Sequence, residues 1–66
     1  MNIPNYSRVR LLTDEYLSEG VNIGAIGYVI EIYPNNKYDV EFSDINGITI
    51  AQIILNANQF EIAEVP

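Results

Sequence analysis

The segment Lys37–Ser43, KYDVEFS, alternates without a break: Tyr38, Val40 and Phe42 share one parity, and Lys37, Asp39 and Glu41 share the other. Successive side chains of a strand point to opposite faces, so this pattern describes a strand with one face in a core and one toward water. A lone strand cannot bury its apolar face, so the remainder of the 66 residues must supply its neighbours. No segment keeps a helical period for three turns, and the rest of the chain also reads as short strands.

Ser7–Thr13 sets Val9 and Leu11 against Arg8 and Arg10, a half-buried strand. The following DEYLSEG has room for one helical turn or an ordered loop, with Asp14 as its cap and Gly20 as its end. Ala25–Tyr33 is the second strand, and Pro34-Asn35-Asn36 returns it into Lys37–Ser43. A three-residue turn with Asn36 left-handed pairs Ile32 with Tyr38, Ile30 with Val40 and Tyr28 with Phe42. A two-residue turn would set these apolar residues against acids. The favoured register places Glu31 opposite Asp39, with Glu41 nearby, and like charges across a ladder are destabilising.

Asn46-Gly47 predicts a type I′ hairpin turn into Ile48–Leu55. That last stretch is apolar on both parities, Ile48, Ile50 and Ile54 on one and Ala51, Ile53 and Leu55 on the other. It reads as a strand covered on both sides, by bending between the sheets of a barrel or by a partner. Residues 56–59 read as one 3₁₀ turn and Phe60–Ile62 as a short closing strand. The expectation is therefore all-β: one domain over residues 1–66, a small five-stranded SH3-like barrel with one short 3₁₀ turn before the last strand.

Composition narrows the chemistry. With neither cysteine nor histidine, the chain has no thiol nucleophile, no thiolate metal site and no imidazole base. Neither a cofactor nor a metal is expected, and catalysis is not expected. Nine acids against three bases, Arg8, Arg10 and Lys37, give a net charge of −6, which opposes direct binding to nucleic acid. A basic protein is the electrostatically favoured partner. No apolar run approaches the roughly 20 residues of a membrane helix, and the expected setting is cytoplasmic, away from membranes.

Gly20, Gly24 and Gly27 precede a strand, are spaced wrongly for GxGxxG and lack a following Lys-Ser/Thr pair, so they read as a bend and not as a phosphate cradle. Asp44-x-Asn46-Gly47 echoes a calcium loop, but Leu55 stands where the bidentate glutamate belongs, and the stretch reads as a hairpin turn.

Two resemblances add to this reading. Gly24–Ile32, GAIGYVIEI, resembles the GxxGxVxxI pattern of the KOW element, a β-corner of SH3-like domains, without the basic residues that accompany RNA binding there. Over nearly the whole chain, the order LLTD (Leu11–Asp14), Glu19-Gly20, GxxGxVIEIYP (Gly24–Pro34), YDVEF (Tyr38–Phe42), DxNGxT (Asp44–Thr49) and AQIIL resembles an uncharacterised family of short acidic bacterial proteins. That family is a domain of unknown function, and the resemblance implies an SH3-like barrel. Ala25 and Ile54-Leu55-Asn56 depart from its usual pattern. Such small proteins resemble the antitoxin or immunity half of a two-gene pair.

The functional expectation is a non-enzymatic interaction module that binds another protein, basic or toxin-like, through an acidic face. Its candidate residues are Glu31, Tyr33, Asp39 and Glu41, with tyrosine as the anchor. The alternative is a structural homo-oligomer, such as a homodimer, built on the Ile48/Ile50/Ile54 stripe or an open barrel edge. Of the five tyrosines, Tyr28 and Tyr38 are expected in the core; Tyr6, Tyr16 and Tyr33 either lie at an interface or cover the barrel ends.

Overall fold

The computed structural model describes residues 3–64; residues 1–2 and 65–66 of the expected domain lie outside the described residues. Five strands, β1 (Arg8–Leu11), β2 (Ile26–Tyr33), β3 (Lys37–Ser43), β4 (Thr49–Asn56) and β5 (Phe60–Ile62), form one antiparallel sheet in the order β4-β3-β2-β1-β5. Consecutive strands are neighbours until the 3₁₀ turn Ala57–Gln59, after which β5 returns to pair with β1. This is the expected SH3-like plan. The sheet curls over its own core: Tyr38 of β3 and Phe60 of β5, strands that do not pair, meet edge to face with ring centroids 5.3 Å apart. Among the described residues no ladder joins β4 to β5, so the barrel is open along that seam.

The core takes the inward parity of every strand: Val9 and Leu11 from β1, Val29 from β2, Tyr38, Val40 and Phe42 from β3, Ile53 and Leu55 from β4, Phe60 from β5. Asn56 and Gln59 close the second 3₁₀ turn with a capping box, the Gln59 side chain accepting the Asn56 N–H at 2.8 Å. The other end of the Gln59 amide donates to the Tyr16 hydroxyl at 3.3 Å, which ties this turn to the β1–β2 loop.

That loop holds a first 3₁₀ turn, Leu17–Glu19, ended by Gly20 in the left-handed region at φ 85°. Asp14 does not cap it. Its N-cap position is Tyr16, and the hydroxyl of Thr13 accepts the Glu15 N–H instead. Strand β1, Arg8–Leu11, is also shorter than Ser7–Thr13, although the Leu12 N–H still donates to the Gln59 carbonyl in register with the β1–β5 ladder. The β3–β4 turn differs from type I′. Only Gly47 of the Asn46-Gly47 pair takes a positive φ. Asp44 organises the turn through its side chain, which accepts the N–H groups of Asn46 (2.9 Å) and Ile48 (3.0 Å).

The largest departure lies in the β2–β3 hairpin. The turn and its first pairs are as expected: Tyr33 opposite Lys37, Ile32 opposite Tyr38, Glu31 opposite Asp39, with Asn35 and Asn36 both at positive φ. A bulge at Ile30 then advances β2 by one residue, so that Val29 faces Val40, Tyr28 faces Glu41 and Gly27 faces Phe42. The expected Ile30–Val40 and Tyr28–Phe42 pairs do not form. Glycine at position 27 leaves space for the Phe42 ring, whereas Tyr28 there would oppose one aromatic side chain with another. Tyr28 accordingly turns outward and is 47 % exposed.

Strand β4 is not covered on both sides. Ile53 and Leu55 are buried, while Ile48, Ile50 and Ile54 are exposed. A second bulge makes Ile50 an extra residue between Thr49 and Ala51, and its Cγ2 would lie 3.3 Å from a Cβ on Gly20. The three isoleucines therefore do not form one continuous row.

Candidate functional site

The outer surface of the β2–β3–β4 sheet gathers the charged parity of β3. Glu31, Asp39 and Ile54 lie in one row across the three strands, and Tyr28, Glu41 and Gln52 lie in the next. Tyr33 stands beside Lys37 at the hairpin end. All four expected residues thus fall on one face, with Glu31 and Tyr33 exposed and Glu41 half-buried.

Asp39 is the exception to a solvated acidic face, being only 7 % exposed. Its Oδ2 accepts the Gln52 amide at 2.9 Å and, at 3.4 Å, the Tyr33 hydroxyl. Its Oδ1 is buried and has no hydrogen-bond partner among the described residues. A buried acceptor left unpaired costs about 1–3 kcal/mol, more when it belongs to a charged group. Directly opposite stands Glu31, another carboxylate.

The protein's own cations are committed elsewhere. Arg10 pairs with Glu61 at 2.7 Å, Arg8 donates to the carbonyls of Ala63 and Glu64, and Lys37 donates to the Asn56 side chain. The acidic row is left without a positive neighbour in hydrogen-bonded contact among the described residues. These acids do not make a metal centre: no group of three or more His, Cys, Asp or Glu among the described residues could hold an ion.

The same geometry acts on Tyr33. Desolvation, then the Asp39 and Glu31 carboxylates and the hydrogen bond to Asp39, raise its phenol above the ordinary 10.0. A raised value favours the protonated phenol in the folded state. The resulting contribution to stability is complete below the unfolded tyrosine value and disappears as pH climbs through the folded one. A phenolate absorbance titration should resolve a tyrosine ionising later than the unfolded chain, and Asp39→Asn should bring it part of the way back, desolvation and Glu31 remaining. A Tyr33 titration unmoved by that change would place Asp39 out of its reach.

Three members of the face were not expected from sequence. Tyr28 arrives through the Ile30 bulge, while Gln52 and Ile54 arrive through pairing with β3. The signal for the first was Gly27, since glycine inside a strand marks a bulge or a close approach. Tyr38 is buried as expected, Tyr16 packs against the core edge, and Tyr6 and Tyr33 are exposed. A separate shallow cleft of about 370 Å³ is lined by Asn35, Asn36, Asn56, Ala57 and Asn58, whose amides can hydrogen-bond but not titrate. Among the described residues no helix is long and apolar enough to cross a membrane.

Residues 5–62 match the model of a family described as a domain of unknown function, DUF4926. No curated protein and no solved structure matches the chain.

Proposed function

We propose that this chain, which belongs to the DUF4926 family, is a non-enzymatic protein-interaction module that docks a basic partner on the outer face of the β2–β3 hairpin. Glu31, Tyr33, Asp39 and Glu41 carry the contact, and Tyr28 widens it. The reading rests on one observation above all: a buried carboxylate oxygen of Asp39 that has no donor among the described residues, opposite Glu31, in a chain whose three basic side chains are engaged elsewhere. An incoming guanidinium or ammonium group would supply that donor and relieve the like-charge opposition. Tyr28 and Tyr33 offer ring faces beside it. The antitoxin or immunity role, the bacterial and cytoplasmic setting and the KOW-like character of Gly24–Ile32 belong to the same proposal, by resemblance.

Asp39→Asn separates binding from folding because its two expected effects have opposite signs. Removing one of two facing carboxylates should raise the unfolding free energy by about 0.2–1 kcal/mol. The same change should abolish capture of partner from native extract. Wild-type capture should also fall as added salt screens the face. Equal capture by wild type and Asp39→Asn, or capture indifferent to salt, would remove this function.

A further inference from the structure

Every strand but one carries charge: Arg8 and Arg10 in β1, Glu31 in β2, Lys37, Asp39 and Glu41 in β3, Glu61 in β5. β4, TIAQIILN, carries none, and it stands at the end of the ladder with eight residues. Edge strands in soluble proteins are normally blunted by lysine, proline or brevity, because their unpaired N–H and C=O groups otherwise template another strand. β4 has only the bulge at Ile50, near its start.

The direction of its backbone groups follows from the register. The Asn56 N–H is taken by the Gln59 side chain and so does not donate to Lys37, the residue opposite. Paired residues in an antiparallel ladder alternate between bonded and non-bonded, so the N–H and C=O of Gln52 and Ile54 also point away from β3. They face the open edge. No backbone bond outside the sheet engages either residue among the described residues.

We infer that β4 pairs with β4 of a second copy, antiparallel, across a two-fold axis at Gln52. This register lets the two Gln52 residues exchange backbone hydrogen bonds and brings Ile54 of each copy to the bulge at Ile50 of the other, where regular pairing ends. Those two side chains are 48 % and 47 % exposed in the single chain. A two-fold interface needs a self-complementary surface, and a neutral strand meets that condition in a chain of net charge −6. It adds no like charge of its own to the seam. A stable interface covers roughly 800 Å² per partner. One strand edge covers less, so the dimer is reversible and forms with concentration.

Salt distinguishes this association from docking on the acidic face. Screening weakens attraction to a basic partner but reduces repulsion between two acidic chains, so added salt should favour the dimer. Light scattering of the full chain should show the mass rising from one chain toward two on concentration, further at high salt. Ile54→Lys, whose ammonium would face Asp39 across the ladder, should stay at one chain while keeping the wild-type circular dichroism. Amide exchange on the wild type provides a second readout, with the N–H groups of Gln52 and Ile54 slowing as the mass doubles. One-chain mass at every concentration would overturn the inference, as would a dimer in which those two amides exchange as fast as in the monomer or one that survives in folded Ile54→Lys.

Discussion

Replacing Gly27 by alanine is expected to lower the unfolding free energy by about 3 kcal/mol, the upper part of the range for overpacking a core. The added Cβ would sit 2.8 Å from both Phe42 Cδ1 and Val40 Cγ1, and 2.9 Å from the Glu41 carbonyl oxygen. Side chains can turn aside when there is room, but Phe42 and Val40 are fully buried. The carbonyl belongs to the paired strand and cannot move without spreading β2 from β3. In a domain of this size each kcal/mol shifts the melting temperature by roughly 4–8 °C, so the loss should exceed about 12 °C. A melting temperature within a few degrees of wild type would mean that the strands do not cross this closely.

Phe42→Ala should cost more, about 3–5 kcal/mol, as expected for removing the largest fully buried side chain of the core. Domains are stable by roughly 0.05–0.15 kcal/mol per residue, about 3–10 kcal/mol for 66 residues, so such a loss takes a large share of the total. Urea unfolding should show a midpoint well below that of the wild type, and a midpoint unchanged from wild type would place Phe42 outside the core. The two substitutions should also fail to add, because Gly27 is required by the Phe42 ring it faces. Once the ring is gone, Gly27→Ala should cost less than it does in the wild type, the remainder being set by Val40 and the Glu41 carbonyl. Full additivity would show that glycine and ring do not share that space. Neither variant touches the outer face. Any loss of partner capture they cause should track the unfolded fraction, unlike the loss in Asp39→Asn.

Much of the architecture was legible along the chain. Strand β3 and strand β5 occupy the predicted residues, the 3₁₀ turn stands before the last strand, and Glu31 opposes Asp39. Each follows from short-range patterning, either a period of two or a turn whose residues accept positive φ. The errors fall where the pattern is degenerate. β2 is apolar at Ile26, Tyr28, Val29, Ile30 and Ile32, on both parities, so alternation could not decide which set faces inward. β4 has the same ambiguity, and its Ile50 bulge scatters the expected isoleucine stripe.

The candidate face was half visible in the same way. Its acids could be placed by parity, but not the burial of Asp39, which pairs with Ile54 and accepts from Gln52 on a strand more than ten residues later. Sequence by itself determined the all-β character, the number of strands and the negative surface, because those depend on side-chain types and their spacing. Tertiary structure alone decided the slip at Ile30, the outward turn of Tyr28 and the Asp39 oxygen left without a donor among the described residues. These depend on which side chains compete for one volume, as the Phe42 ring does for the space that Gly27 leaves.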